Sequence, residues 1–345
     1  MKRFSQIFFA FIVVFLILWA LPLAYNFLFV RPDRGSFVLY SSLLHDFLLI
    51  EYSEAEGHVR RDAHNNRYTE AQADSLLPTF YMRMLVSNGR WPDTLMGRSV
   101  APHDVQRTNF NFRSQAADIN AIGVPLYFLQ EAMPKRAELE MPTDVLRFTN
   151  QGVEFVDMAS NTVDEEKSLR FTKALTAKGF AFPPMRVANN PSTHKDYDNG
   201  MLLLDAQHRL FHLKQLRGRP YVQSVETPDS VSLQHVFVVE FRDRKLLGLL
   251  NDATHRLYAL YDNTYELVPT GVVGFNPERH NMTIFGNMFD WTVRISTSNS
   301  DRYFALDANS LQMIDTFTIA TPQSKSMPGL SFTSSTNPTI WPRWR

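Results

Sequence analysis

Two histidines, His208 and His212, stand four residues apart, the spacing that places two metal ligands on one face of a helix. The surrounding residues predict a turn followed by a strand, so the two rings would not converge on one ion. His208 also recurs as His255 in a second, similar stretch, whereas Ala259 takes the place of His212 there. We therefore interpret His208 as a structural residue of a repeated turn and predict no metal ligands here.

Residues 196–200, Asp-Tyr-Asp-Asn-Gly, resemble the start of a calcium-binding loop. Such a loop needs oxygen ligands at its first, third and fifth positions, glycine at the sixth and a glutamate further on. In this chain the glycine comes one residue early and the distal glutamate is missing. The pair Asn199-Gly200 is typical of a tight turn between two strands, and we favour that interpretation.

Carboxylates are the remaining residues that could carry chemistry, for example as the acid and base of glycoside cleavage. The run Asp164-Glu165-Glu166 is the densest group, and a short acidic run usually lies in a solvated loop. The chain has no cysteine, no glycine-rich phosphate loop, no G-x-S-x-G and no H-E-x-x-H. The sequence therefore predicts no catalytic, cofactor-binding or metal-binding residue, and it favours a protein that is not an enzyme.

The N-terminal segment predicts a membrane helix, because residues 4–30 contain no charge. About 20 apolar residues are enough to cross the hydrocarbon core. A cleaved signal peptide is the alternative, but cleavage after Ala24 would leave Pro22 at the minus-three position, which is a poor cleavage site. We predict an uncleaved anchor over residues 1–31, in a bacterial inner membrane and crossing it once. The flanking charges favour a cytoplasmic N-terminus only slightly, and the rest of the chain is expected in the periplasm.

The charge balance of the chain narrows its possible partners. Lysine plus arginine and aspartate plus glutamate number 35 each, so the 345-residue chain has no net charge. A nucleic-acid-binding protein needs an excess of cations facing the phosphates, and this excess is missing. With 44% hydrophobic residues the chain can bury a large core. A folded domain that does not bind nucleic acid is expected.

An internal repeat indicates how that domain is built. Residues 205–213, DAQHRLFHL, match residues 252–260, DATHRLYAL, at an offset of 47 residues. A weaker copy covers residues 301–306, where Arg302 answers Arg256, and a fainter one covers residues 150–156. Each copy is predicted as two strands joined by a turn that begins at an aspartate, because this side chain can accept hydrogen bonds from the following backbone.

Four short strands every 40–50 residues are typical of a β-propeller blade. We predict a mainly β protein in which residues 35–322 form a propeller-like domain of five to seven blades. The alternative is a β-sandwich that happens to contain two similar hairpins. A short helical insertion is predicted, with one helix capped by Thr69 and a second through residues 81–85. Residues 323–345 form a Ser/Thr/Pro-rich tail, whose two tryptophans, Trp341 and Trp344, we expect to pack against the domain. The alternative is that they dock on a partner or on the lipid headgroups.

Several segments resemble an uncharacterised bacterial family of membrane-anchored proteins that is associated with ABC-type transporter components. The resemblance rests on residues 62–69, 76–78, 91–94, 199–205 and 209–213. It implies a membrane-anchored accessory or sensor module that binds another envelope protein such as a transporter component. It implies no site residues and no cofactor. The alternative function is an envelope hydrolase or lyase with a carboxylate site in the propeller channel.

Overall fold

The computed structural model describes residues 2–29, 35–135, 138–321, 327–332 and 342–344. The chain begins with helix α1 (Lys2–Phe29), which contains the 27-residue apolar segment Arg3–Phe29. This segment is long and apolar enough to cross a membrane, and nearly all its side chains point away from the protein. Such a helix is consistent with a single-pass anchor or with a signal peptide.

The first sheet after the helix is sheet I, with strands β1 (Phe37–Ser41), β2 (Asp46–Ser53) and β3 (Gly57–Asp62). A mostly helical insertion follows. Its elements are α2 (Glu70–Leu76), α3 (Met82–Ser87), β4 (Thr94–Leu95), β5 (Arg98–Ser99), α4 (Pro102–Thr108), β6 (Phe110–Ser114) and α5 (Ala116–Ile119). Thr69 caps α2 in a reciprocal capping box with Gln72, as its hydroxyl predicted. The helix expected through residues 81–85 is α3.

Four further sheets follow in chain order. Sheet II contains β7 (Asp144–Phe148), β8 (Val153–Asp157) and β9 (Thr162–Asp164) and is followed by helix α6 (Glu165–Ala177). Sheet III contains β10 (Arg186–Asn189), β11 (Met201–Leu204), β12 (Leu210–Leu216) and β13 (Arg219–Val225). Sheet IV contains β14 (Leu233–Val238), β15 (Leu246–Asp252), β16 (Arg256–Tyr261) and β17 (Leu267–Val273).

Sheet V contains β18 (Asn281–Gly286), β19 (Asp290–Ser296), β20 (Ser300–Asp307) and β21 (Met313–Ala320). The strand β6 of the insertion pairs antiparallel with β18, so sheet V has five strands in the order β21-β20-β19-β18-β6. A C-terminal hairpin of β22 (Leu330–Phe332) and β23 (Pro342–Trp344) completes the described chain.

The sheets stack face to face because their central strands are apolar on both sides. In β11, Met201 and Leu203 pack towards sheet II and α6, whereas Leu202 and Leu204 pack towards sheet IV. This explains the continuous apolar run, since a strand buried on both faces loses the usual alternation. Further hydrophobic clusters join sheet IV to sheet V and sheet V to sheet I. The stacking order is therefore II, III, IV, V and I.

These five sheets do not close into a ring: within the described residues, no hydrophobic cluster joins sheet I to sheet II. The protein is mainly β with one N-terminal apolar helix, as the sequence predicted.

The repeated aspartates lie at equivalent places in adjacent sheets. Asp205 joins the second and third strands of sheet III, and Asp252 ends the second strand of sheet IV at the same turn. In both turns the carboxylate accepts hydrogen bonds from the backbone N–H groups two and four residues later. His208 and His255 take the left-handed conformation in these turns, with φ of 62° and 64°. In sheet V, Thr297 accepts the corresponding bonds in a shorter turn.

Two local predictions were wrong. Asn199-Gly200 does not form a tight hairpin, since the 11 residues from 190 to 200 connect β10 to β11. The buried ion pairs of Lys195 hold this longer loop. The acidic run is not a solvated loop, because Asp164 caps α6 by accepting from the Lys167 N–H, and the two glutamates form the first turn.

Candidate functional site

An open groove lies where the edge strands β6, β10 and β14 of three neighbouring sheets come together. Its volume is about 470 Å³. Polar side chains of β6, β10 and the adjoining loops line it, with aromatic rings at its floor. The lining includes Asn111, Phe112, Arg113, Ser114, Asn189, Asn190, Phe237 and Glu240.

The side chains of strand β6 alternate between the core and the solvent, and the exposed ones reach the groove. Phe110 and Phe112 pack against the core shared by sheets IV and V, and Asn111 and Arg113 are exposed. Phe112 meets Phe237 of β14 edge to face at 5.6 Å, which joins the two walls. Along each edge strand alternate backbone N–H and C=O groups face away from the sheet. The groove therefore offers backbone hydrogen-bonding groups beside amide and guanidinium side chains.

Ser114, at the end of β6, provides a further polar group. Its side chain is buried, with 5% of the residue exposed, and its hydroxyl has no hydrogen-bond partner within the described residues. A buried hydroxyl without a partner costs about 1–3 kcal/mol. Because the hydroxyl oxygen is itself fully buried, a bound molecule could reach it only if neighbouring groups moved.

Glu240 is the buried carboxylate of the groove, and it is fully engaged. Lys195 Nζ lies 2.8 Å from Glu240 Oε1 and 2.6 Å from Asp198 Oδ1, and all three side chains are at most 5% exposed. The Asn199 N–H donates to Oε1 and the Asn190 amide donates to Oε2. Burial raises the pKa of Glu240, and the Lys195 ammonium opposes that rise. This cluster ties the 190–200 loop to the segment that follows β14.

Acid–base chemistry in the groove would need a second carboxylate or a histidine beside a free one. Among the lining residues that the structure describes, the other carboxylate is Asp118, which is exposed on α5. Both carboxylate oxygens of Glu240 already accept hydrogen bonds from the protein. The groove thus presents hydrogen-bonding and aromatic groups instead of an acid–base pair.

A second cavity, of about 240 Å³, lies between sheets I and V and the insertion, beside Asp290. Asp290 is 4% exposed; Ser42 Oγ donates to its Oδ2 at 2.5 Å and Asn287 Nδ2 to its Oδ1 at 3.0 Å. Burial raises the pKa of this carboxyl to about 6. A carboxyl that readily holds a proton can donate or accept hydrogen bonds, but its described partners are a serine and an amide.

The paired histidines do not meet at a metal site. His212 is buried in β12, where Nε2 donates to the Asn199 carbonyl at 2.7 Å and Nδ1 accepts from the Tyr265 hydroxyl at 2.8 Å. Burial lowers its pKa to about 3, which keeps the ring neutral. The His208 ring contacts the Leu233 carbonyl instead. Hydrogen bonds within the protein thus account for both rings.

Among the residues that the structure describes, one group has metal-binding residue types: Asp46, Asp62 and His64. His64 Nδ1 lies 2.9 Å from Asp46 Oδ2, so the two form an ion pair when the ring is protonated, and this pairing raises the pKa of His64. Asp62 accepts four hydrogen bonds in a turn like that of Asp205, from backbone and side-chain groups of residues 64–68. These partners account for the cluster without an ion.

Neither strand β6 nor the buried cluster of Lys195, Asp198 and Glu240 was predicted from the sequence. The alternation Phe-Asn-Phe-Arg-Ser at 110–114 is a strand signal that could have identified β6 inside the insertion. Lys195 and Glu240 lie 45 residues apart, and no spacing rule connects them.

Comparison with known proteins gives a family but no function. No curated protein matches the chain. Among solved structures, "Structure of Dos1 propeller" is 10% identical, with 87% of this chain and 64% of that chain covered and a TM-score of 0.32. PorZ of the type-IX secretion system of Porphyromonas gingivalis is 10% identical (89% and 37% covered, TM-score 0.26). Dihydro-heme d1 dehydrogenase NirN is 11% identical (79% and 69% covered, TM-score 0.25).

This chain therefore spans less than two thirds of the first two structures, and scores this low support no functional conclusion. The family match covers most of the chain: residues 37–306 fit a single family, and this range includes the five sheets up to the end of β20 but lacks β21. Like the family that the sequence resembles, it has no assigned function. The chain belongs to the family described as domain of unknown function DUF4857.

Proposed function

We propose that this protein is a non-enzymatic, membrane-anchored module that binds another membrane or envelope protein in the groove between β6, β10 and β14. The observation that carries the proposal is the composition of the groove. Three strand edges meet there beside exposed Asn111 and Arg113, whereas Glu240 is already neutralised by Lys195. Strand edges bind extended peptide segments through backbone hydrogen bonds, and neighbouring pockets select the side chains.

The anchor supports this function by keeping the domain near its partner. We propose that α1 crosses a bacterial inner membrane once, with the β domain in the periplasm. Most side chains from Phe4 to Phe29 are apolar and exposed, as expected of a helix that lipid surrounds. Tethering two proteins to one bilayer raises their effective concentration without any new contact.

A component of an ABC-type transporter is the partner that we propose first, because the segments quoted above resemble proteins associated with such transporters. We also propose that the five stacked sheets are an open β-propeller, in which β6, β10 and β14 take the place of the inner strands. In that architecture the groove is the channel, and the insertion packs on sheets I and V.

The proposal can be tested by site-specific photo-cross-linking in native membranes. A photoreactive amino acid replaces Asn111 in the groove of the full-length protein, and a second variant carries it at Thr318 on the outer strand β21. We expect Asn111, but not Thr318, to cross-link one reproducible membrane protein. Equal products from both positions, or none from Asn111, would contradict binding in the groove.

Charge reversal provides a matched pair of variants for co-purification. Arg113→Glu should reduce recovery of the cross-linked protein at least tenfold, because it replaces a donor in the groove by an acceptor of opposite charge. Lys173→Glu, on the exposed face of α6, makes the same change away from the groove and should leave recovery unchanged. Turnover of envelope glycans by the purified protein, abolished by Glu240→Gln, would instead establish the hydrolase alternative.

A further inference from the structure

The C-terminal hairpin folds back onto the N-terminal helix, although nearly 300 residues separate them in sequence. The Asn26 side chain forms two hydrogen bonds with the backbone of Met327: Nδ2 donates to the carbonyl at 3.1 Å, and Oδ1 accepts from the N–H at 2.7 Å. Met327 is followed by β22, which also contacts α1. The amide of Asn26 thus satisfies both backbone groups of one residue, as a neighbouring strand would.

Gly329 makes the closest approach between the hairpin and the helix. A Cβ at this position would lie 2.4 Å from the Pro22 ring and 3.2 Å from the Leu18 carbonyl oxygen, so only glycine fits without a shift. Pro22 has no N–H, which leaves that carbonyl without its usual helical donor. Pro22 is buried, whereas Leu21 and Leu23 beside it are exposed. The hairpin therefore covers one defined spot on the helix.

The position of this spot along α1 sets its depth in a membrane. A helix rises about 1.5 Å per residue, so about 20 residues cross a hydrocarbon core about 30 Å thick. Counted from Phe4, where the uncharged segment begins, the core ends near Leu23. Pro22 and Asn26 lie on either side of that boundary. A segment that contacts both residues must lie at the level of the lipid headgroups.

The hairpin has the composition of a segment at the membrane interface. Trp344 pairs with Leu330 across the hairpin, and 61% of its surface is exposed. Tryptophan is enriched at the headgroup level, where its ring meets lipid and its N–H meets water. In the sequence, Arg343 and Arg345 flank it, and such cations are attracted to anionic headgroups.

We propose that the β22–β23 hairpin is a second membrane contact: it lies in the headgroup region of the bilayer that α1 crosses, with Trp344 in contact with phospholipid. The inference rests on the proposed membrane anchor. The expectation that the tail tryptophans pack on the β domain is not met by Trp344, because its strand pairs with β22, which contacts α1. Trp341 lies outside the described residues.

The absence of cysteine makes a direct depth measurement possible, because one introduced thiol can be labelled alone. A nitroxide is attached to full-length Ser331→Cys in vesicles of phosphatidylcholine and phosphatidylglycerol. Its accessibility to oxygen and to a water-soluble nickel chelate is compared by electron paramagnetic resonance. Labels on Val13→Cys in α1 and on Asp229→Cys in the exposed loop between β13 and β14 mark the bilayer interior and the aqueous phase.

We expect the label at position 331 to lie at a depth between the labels at 13 and 229. It should be more accessible to oxygen and less accessible to the chelate than the label at 229. A label at 331 that matches 229, while the label at 13 is deep, would overturn the hairpin proposal alone. An aqueous label at 13 would overturn the anchor, and the hairpin proposal with it. Protection at 331 from both oxygen and the chelate would indicate a protein contact, and it would also overturn the proposal.

A second pair of variants tests whether the helix contact positions the hairpin. Gly329→Val in the Ser331→Cys background should move the label to the aqueous phase, because the new side chain meets the Pro22 ring. Gly123→Val is the matched control, since no atom lies within 4 Å of a Cβ there. An unchanged label in Gly329→Val would contradict docking on the helix.

Discussion

Replacing Asp290 by asparagine should change how the stability of the protein depends on pH. Burial raises the pKa of this carboxyl from 3.8 to about 6 in the folded protein. Between about pH 4 and pH 6 the folded state holds the proton and the unfolded state has lost it. The folded state then binds more protons, so the contribution of Asp290 to stability is full below about pH 4 and is lost as the pH rises to about 6.

The size of this effect follows from the distance between the two pKa values. They lie about two pH units apart, and each unit corresponds to about 1.4 kcal/mol, so the total is about 3 kcal/mol. Asparagine has nearly the same shape and does not titrate. The free energy of unfolding of Asp290→Asn, minus that of the wild type, should therefore rise by about 3 kcal/mol between about pH 4 and pH 7.

Urea titrations of the full-length protein in detergent, followed by tryptophan fluorescence, measure this difference at each pH. Asp157→Asn is the control, because bonds from Ser160 lower the pKa of Asp157 in its turn and Asp157 lies in sheet II, away from Asp290. Its native carboxylate stabilises the protein above about pH 4, and this contribution is lost as the pH falls. For the control, the free energy of unfolding of the variant minus that of the wild type should therefore fall as the pH rises, and it should change only at low pH. A difference for Asp290→Asn that stays constant from pH 4 to pH 7 would refute the reasoning.

Two further substitutions test the packing that forms the groove. Lys195→Met should destabilise the protein by about 3–5 kcal/mol in the same urea assay, because it leaves two buried carboxylates without their cation; Lys173→Met on the surface should change stability by less than about 0.5 kcal/mol. Gly286→Ala should cost about 1–3 kcal/mol, since its Cβ would lie 2.2 Å from the Phe110 ring, and adding Phe110→Leu should recover part of this loss. Equal stabilities for the two lysine variants, or no recovery in the double variant, would contradict these contacts.

The parts of the fold that the sequence predicted are those set by neighbouring residues. The turns at Asp205 and Asp252 were identifiable because the carboxylate bonds backbone groups two and four residues later, and this local chemistry repeats in the sequence. Thr69 predicted the start of α2 for the same reason. Helix α6 was readable too, since Phe171 and Leu175 are spaced four apart behind the cap at Asp164, but the acidic run was interpreted by charge alone.

The groove could not be predicted because it depends on contacts between distant segments. Phe112 of β6 pairs with Ile284 of β18, about 170 positions later, and nothing local to either strand specifies the other. The alternation of β6 reveals a strand but not its partner. The protonation behaviour of Asp290 likewise comes from burial between two sheets, which composition and spacing do not encode.

The packing of sheet I on sheet V has a consequence for how the protein is made. The apolar face of sheet I, with Val38, Phe47 and Leu49, is covered by residues around Tyr303 and Phe317, which are synthesised about 270 residues later. At about 5–20 residues per second, a ribosome needs roughly 15 to 50 seconds to complete that interval. During this time the first sheet to emerge has no partner for its apolar face. The apolar face of sheet I therefore stays uncovered by its native neighbours until the last strands of sheet V have been made.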